Sequence, residues 1–187
     1  VFALEHLPPE SEKALEFLCH WINAEKTGGL FAQLRQQQLI ATLKAKPLYH
    51  FKDQALLHLE FTANNDIAPH ATYISDTFHD WLRFFRAQQD WPALREELRL
   101  LLQRQQDTSS ALELARSNCE QHAPGLSDQG VTTLKAVLGQ LQPEALQPPQ
   151  HAWQLPAPNP FLQPPKEPLS AGLIRGQTSA HRGLRTF

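Results

Sequence analysis

The sequence lacks methionine and has little cysteine or glycine. Of its 187 residues none is methionine, eight are glycine, and two, Cys19 and Cys119, are cysteine. Two cysteines are too few for a disulfide framework. We therefore expect a pair of buried thiols. A single long-range disulfide remains the alternative if the protein is periplasmic.

An excess of basic residues is also missing. The chain has 17 Lys and Arg against 19 Asp and Glu, a formal net charge of -2. Nucleic acids and anionic membranes bind basic patches, so we predict no nucleic-acid partner and no membrane partner. No apolar run approaches the ~20 residues of a membrane span, and no signal-peptide pattern opens the chain. We expect a cytoplasmic location, with the periplasm as the alternative.

Without methionine the chain has no initiator, and residues 1–7 already have the pattern of a strand. We expect the chain to be an excerpt or a proteolytic piece of a larger protein. Its function is then partly that of the larger protein.

Three stretches have the pattern of β-strands. Residues 55–63 alternate most clearly, with Leu57, Leu59 and Phe61 on one face. Residues 40–46 alternate as well and are expected to stop at Pro47, and residues 1–7 supply a third strand. These stretches predict one mostly antiparallel sheet.

Most of the remaining chain to residue 141 has helical spacing. A first helix is predicted over residues 12–22 with Ser11 as its N-cap, and a second after Gly28 and Gly29 with Thr27 as its cap. A third carries an apolar stripe that can cover the sheet, and later helices begin near residues 90, 108 and 131. The stripe consists of Ile74, Phe78, Trp81, Leu82 and Phe85, with Asp76, Asp80 and Arg83 opposite. We predict an α+β fold with the helices packed on one face of the sheet.

Proline becomes frequent after residue 142, at nine positions between 143 and 168. This composition predicts an extended connector rather than a packed domain. We therefore divide the chain into an α+β domain, residues 1–146, and a Pro-rich linker, residues 147–187.

Two segments, E-K-T-G-G-L-F-A-Q-L-R at residues 25–35 and L-P-A-P-N-P-F at residues 155–161, resemble segments of the pitrilysin-type (insulin-degrading-enzyme type) zinc metallopeptidases. Residues 25–35 resemble the H-E-G-x-G-S-L-L-x-x-L segment of that family. Ala24 stands in place of its His, Lys26 in place of its first Gly and Gly29 in place of its Ser. Residues 155–161 resemble its L-P-x-x-N-x-[FY]-I-P segment in the expected order and at the expected distance.

The resemblance covers residues 1–165 and implies the second, non-catalytic domain of the N-terminal half of such an enzyme. One departure is that residues 141–146 lead straight to Gln147-Pro148-Pro149, without the closing strand that the family has there. The His-x-x-Glu-His zinc motif is absent. We predict no catalytic residue, no metal site and no cofactor in this segment, with zinc in the catalytic domain of the parent enzyme.

The resemblance also implies a peptide-binding site. In such relatives the equivalent loop and edge strand hold the N-terminal end of a peptide by strand addition, in which edge amides bind any sequence. The candidate substrate-binding residues are Glu25, Leu43, Lys44, Ala45 and His20. The Glu25 carboxylate would meet the peptide ammonium. Glu25 as a mere helix-entry charge is the alternative.

Among bacterial members, the Gln-, Leu-, His- and Trp-rich composition most resembles peptidases that act on the precursor peptide of pyrroloquinoline quinone (PQQ) biosynthesis. The expected partners are a peptide substrate and the other domains of the parent enzyme. The alternative is a stand-alone peptide- or protein-binding adaptor with a degenerate fold of this type. A His-x-x-Glu-His motif upstream in the gene would distinguish the peptidase from the adaptor.

Overall fold

A computed structural model describes residues 1–63, 66–88, 90–108, 126–141, 150–155, 157–162, 177–178 and 185–186. The main elements follow one another as β1 (Phe2–Leu4), α1 (Ser11–Ile22), α2 (Leu30–Gln36), β2 (Thr42–Phe51), β3 (Gln54–Thr62), α3 (Ala71–Arg86), α4 (Trp91–Thr108) and α5 (Asp128–Leu141). Short 3-10 turns lie at Ala68–His70 and Pro160–Leu162, and the two-residue strands β4 (Gln177–Thr178) and β5 (Arg185–Thr186) pair with each other. The predicted α+β class is confirmed.

The main sheet has three strands in the order β1-β3-β2, and both pairs are antiparallel. The central strand β3 places Leu57 opposite Phe2 of β1 and Leu59 opposite Ala45 of β2. The predicted antiparallel sheet is therefore confirmed, and β2 forms one of its edges.

Two strand ends differ from the prediction by more than two residues. β2 does not stop at Pro47 but continues to Phe51, with a register shift between Pro47 and Tyr49. Proline is tolerated in an edge strand where its nitrogen faces away from the ladder. β1 is shorter than predicted, because the chain leaves the sheet after Leu4 and adopts a positive φ of 52° at His6.

The core lies between the sheet and the helices. α1 packs on β2 and against α5, and the buried Leu43 and Ala45 face this core. α3 packs against α2 and α5, and it meets the sheet at Phe2, whose ring centroid lies 5.7 Å from that of Phe78. Helices cover one face as predicted, but α1 rather than α3 lies closest over the sheet.

Both predicted helix caps are wrong. Ser11 is the first residue of α1, whose N-cap is Glu10 at a φ of 66°, and the Ser11 hydroxyl is 2.8 Å from His50 Nε2. The N-cap of α2 is Gly29 rather than Thr27, and no side chain caps it. Ser11 lies one position after the cap of α1 and Thr27 two positions before the cap of α2, so neither hydroxyl occupies the cap position. The helix expected after residue 108 lies outside the described residues.

The predicted linker contains a segment, residues 150–155, that lies on the domain. Trp153 in this segment is buried and belongs to the hydrophobic core. Residues 142–149 lie outside the described part, so the boundary at 146/147 stays a prediction. Within the described ranges, no helix is both long and apolar enough to cross a membrane.

Candidate functional site

The loop after α1 contacts the edge strand through Asn23. The Asn23 Nδ2 donates a hydrogen bond to the Ala45 carbonyl oxygen at 2.9 Å, and the Ala45 amide donates one to Asn23 Oδ1 at 2.6 Å. The side-chain amide thus forms with Ala45 the two hydrogen bonds that a neighbouring strand would form.

These bonds show which backbone groups of β2 face away from β3. β3 lies on one side of β2, so the backbone groups of Ala45 that bind Asn23 face the opposite, outer side. In an antiparallel ladder every second residue faces the same way, which places the backbone groups of Leu43 on the outer side too and those of Lys44 towards β3. The Lys44 side chain is exposed. Of the three predicted β2 residues, Leu43 and Ala45 are therefore the ones whose backbones reach the outer edge.

Glu25 lies two residues after Asn23 and is exposed. It forms no ion pair with any described residue. The neighbouring Lys26 does form one, with Glu97 of α4, whose side chain is only 10% exposed. Lys26, which replaces a glycine of the family pattern, therefore anchors the loop to α4 and leaves the Glu25 carboxylate available.

His20, the remaining predicted residue, is half-buried near the end of α1. Its ring packs edge-to-face against the Trp21 ring, with 5.2 Å between the ring centroids. Burial lowers the pKa of His20, and although the charge of Glu97 acts in the opposite direction, the net shift is downward. The downward shift favours the neutral imidazole, and a substrate-binding role for His20 stays a prediction.

The glycine loop, residues 24–29, packs against the 150–155 segment. Gly28 has a φ of 86°, and its carbonyl accepts a hydrogen bond from the Gln154 amide at 3.3 Å. A Cβ at Gly28 would lie only 2.7 Å from the Gln154 Cβ. Gly28 is therefore required both for the left-handed turn and for this close approach.

Asp80 of α3 forms a cluster that the sequence analysis missed. The helical pattern predicted an exposed side chain, but Asp80 is 2% exposed. Its carboxylate accepts hydrogen bonds from the amides of Gln150 (2.7 Å) and His151 (3.0 Å), and from Trp153 Nε1 (2.8 Å). His151 Nδ1 lies at 2.9 Å and Arg83 donates at 2.8 Å. These partners lie about 70 residues away, apart from Arg83, so local periodicity contains no signal for them.

The ionisation of Asp80 follows from these contacts. Burial on its own would raise the pKa of the carboxyl group, but hydrogen bonds from Gln150, His151, Arg83 and Trp153 outweigh it and hold the pKa well below its usual range. A buried carboxylate thus attaches the 150–155 segment to α3, and this segment in turn supports the glycine loop.

The described part of the chain contains no cluster of side chains suited to a metal ion. Within it, no group of three or more His, Cys, Asp and Glu side chains could hold a metal ion. Cys19 is a buried free thiol, and burial together with the nearby charge of Glu16 raises its pKa to about 12. Cys119 lies outside the described residues.

Comparison with known proteins reveals homologues. The chain is 52% identical over all 187 residues to coenzyme PQQ synthesis protein F of Pseudomonas protegens, and covers 23% of that protein. The same-named protein of Pseudomonas syringae pv. tomato is 45% identical over 172 residues, with 87% of this chain and 21% of the relative covered. That of Pseudomonas putida is 32% identical over 164 residues, with 87% and 20% covered.

No protein-family profile matches the chain. A crystal structure of pitrilysin superposes on 56% of this chain and 11% of its own, with a TM-score of 0.48 and 15% identity. The chain spans about a fifth of the length of the curated relatives it matches. With 52% identity along its whole length, the chain is homologous to one segment of coenzyme PQQ synthesis protein F.

Proposed function

We propose that the chain is the non-catalytic second domain in the N-terminal half of a pitrilysin-type zinc metalloendopeptidase that processes the precursor peptide of PQQ. The observation that carries this proposal is the 52% identity, over all 187 residues of this chain, to a coenzyme PQQ synthesis protein F. The two pitrilysin-type segments in the sequence agree with it. The domain forms part of the wall of the peptide chamber.

In this proposal zinc belongs to the catalytic domain, outside this chain. The sequence contains no His-x-x-Glu-His motif, and the described residues do not fit a zinc site. The relatives are much longer than the matched segment, which supports a multidomain enzyme over a stand-alone adaptor.

The finer proposal concerns substrate anchoring. An extended peptide pairs with the outer edge of β2 near Leu43 and Ala45, and its terminal ammonium meets Glu25. Three features support it: β2 lies at the edge of the sheet, Asn23 contacts Ala45, and Glu25, two residues after Asn23, is exposed. Edge pairing uses backbone groups alone and therefore suits peptides of varied sequence.

The test is Glu25→Gln in the full-length protein, assayed with peptides that have either a free or an acetylated N-terminus. We expect binding of the free peptide to weaken by about 1.4- to fivefold, because an exposed charge pair is worth roughly 0.2–1 kcal/mol. Binding of the acetylated peptide should not change, because its N-terminus carries no charge.

Glu60→Gln is the matched control, since Glu60 is an exposed glutamate on β3 of the same sheet. It should leave both peptides unaffected. Equal responses of free and acetylated peptides to Glu25→Gln would contradict the ammonium contact.

A further inference from the structure

The outer edge of β2 is already occupied at its centre. Asn23 binds the outward amide and carbonyl of Ala45, at 2.6 and 2.9 Å. The next outward position is Pro47, which has no amide hydrogen, and the ladder shifts register directly after it. Ala45 is therefore the last residue before this interruption at which a peptide can gain both hydrogen bonds of a strand pair.

We propose that Asn23 is a gate on this edge: its side-chain amide occupies Ala45 in the free chain, and a peptide that pairs along β2 must displace it. This inference rests on the proposed function, in which the β2 edge receives peptide. Asn23 is then a specificity-determining residue, since only peptides with further contacts can compete with a ligand that is built into the chain.

The position of Asn23 allows this exchange. Asn23 is exposed, so an incoming peptide can reach it. Its backbone amide donates to the Cys19 carbonyl at 2.9 Å and completes the last turn of α1. The helix end is thus satisfied by backbone bonds, and the side chain can rotate away from Ala45 without opening the helix. The displaced carboxamide then regains hydrogen bonds from water.

The chain contains a matched arrangement beside β1, the opposite edge of the sheet. The Glu5 amide donates to Gln140 Oε1 at 3.1 Å, and Gln140 Nε2 donates to the Glu5 carbonyl at 2.7 Å. This pair has the same chemistry as the Asn23–Ala45 pair but joins α5 to the chain just after β1. Gln140→Ala therefore removes an equivalent pair of bonds away from the proposed peptide site.

The experiment uses the full-length protein that contains this chain and one probe, a fluorescently labelled peptide of alternating threonine and valine with a free N-terminus. Affinity is measured by fluorescence anisotropy for the wild type, Asn23→Ala, Asn23→Asp and Gln140→Ala. Hydrogen exchange of the Ala45 amide is followed without peptide. The same peptide with methylated backbone nitrogens, which cannot pair as a strand, is the ligand control.

We expect Asn23→Ala to tighten peptide binding about tenfold, because two competing hydrogen bonds are lost. Ala45 exchange should become faster and thermal stability should fall. Asn23→Asp, which can still accept from Ala45 but cannot donate to its carbonyl, should give a smaller gain and serves if the alanine variant does not fold. Gln140→Ala should lose stability without a gain in affinity, and the methylated peptide should bind no variant. A purely structural Asn23 would not produce opposite changes in stability and affinity.

Unchanged or weaker binding by both Asn23 variants, with clear binding by the wild type, would overturn the gate and leave the proposed peptide edge standing. Absence of binding by every variant, even where Ala45 exchanges freely, would overturn the peptide edge and the gate with it. Dimer formation by Asn23→Ala in place of peptide binding would also overturn the gate, since the opened edge would then accept a second copy.

Discussion

At the scale of single residues, Asp80 connects distant parts of the chain. A buried carboxylate is tolerated only where hydrogen bonds and opposite charge replace its lost hydration. Here two backbone amides, an indole, an imidazole and a guanidinium do so, and all but Arg83 come from the 150–155 segment. We therefore expect the charge of Asp80 to help hold this segment on the domain.

We expect Asp80→Asn to lower the free energy of unfolding at pH 7 by about 3–5 kcal/mol, the cost of removing one partner of a buried ion pair. The side-chain amide of the introduced asparagine would also place an N–H donor against partners that are themselves donors. Urea unfolding monitored by tryptophan fluorescence measures the change. Asp76→Asn, the same substitution at an exposed site on the same helix, should stay within about 0.5 kcal/mol of the wild type.

The dependence of this effect on pH tests its cause. The pKa of Asp80 is lowered in the folded state, so the unfolded chain takes up its proton first as the pH falls. The stabilisation is therefore complete above the unfolded pKa of about 3.9 and declines as the pH falls below it towards the folded pKa. Asp80→Asn should remove this decline below about pH 4. If the wild type and Asp80→Asn lost stability in parallel as the pH falls, Asp80 would not be the source of the decline.

At the scale of elements, the glycine loop is held from two sides. Gly28 touches the 150–155 segment, and Lys26 forms an ion pair with Glu97 of α4. Asn23, which directly precedes this loop, contacts β2. The loop thus lies where three separate parts of the chain meet, which fixes the position of Glu25 relative to the edge strand.

We expect Gly28→Ala to destabilise the protein by about 1–3 kcal/mol, because the new Cβ both clashes with Gln154 and strains a positive φ. Gly139→Ala is the matched control: Gly139 lies within α5 and an added Cβ meets nothing within 4 Å. That variant should gain about 0.5–1 kcal/mol from helix propensity. Thermal unfolding of the two variants should therefore shift in opposite directions, and a neutral Gly28→Ala would show that the contact with Gln154 is dispensable.

At the scale of the whole molecule, the sheet is small and both of its edges carry a side-chain amide, Asn23 at β2 and Gln140 just after β1. Unpaired edges promote aggregation, and proteins commonly protect them. Pro47 and the exposed Lys44 and Lys46 add to this protection on β2. The proposed peptide site at this edge would therefore be selective, since Asn23, Pro47 and the two lysines also exclude strands that bind only weakly.

We expect the isolated chain to retain no stoichiometric zinc after dialysis, because its sequence lacks the His-x-x-Glu-His arrangement that supplies two ligands on one helix face. Elemental analysis measures this, with the full-length protein, for which we expect one zinc per chain, as the control. One tightly held zinc in the isolated chain would show that ligands far apart in sequence form a site, and would contradict the division of labour proposed here.

The sequence alone determined the α+β class, the alternation of β3, the stripe of α3 and the absence of a zinc motif, because each depends on neighbours within a few residues. It could not predict the burial of Asp80, since helical spacing with Arg83 is typical of an exposed face.

Only the tertiary structure decided which groups meet across long separations. Asn23 and Ala45 are 22 residues apart, and Asp80 and Trp153 are 73 apart. The local pattern predicted that β2 would stop at Pro47. In the structure the strand continues, because the proline nitrogen faces outward, away from β3. The physical reason is common to all three: hydrogen-bond satisfaction depends on what the fold brings near a group, and a local pattern contains only the group itself.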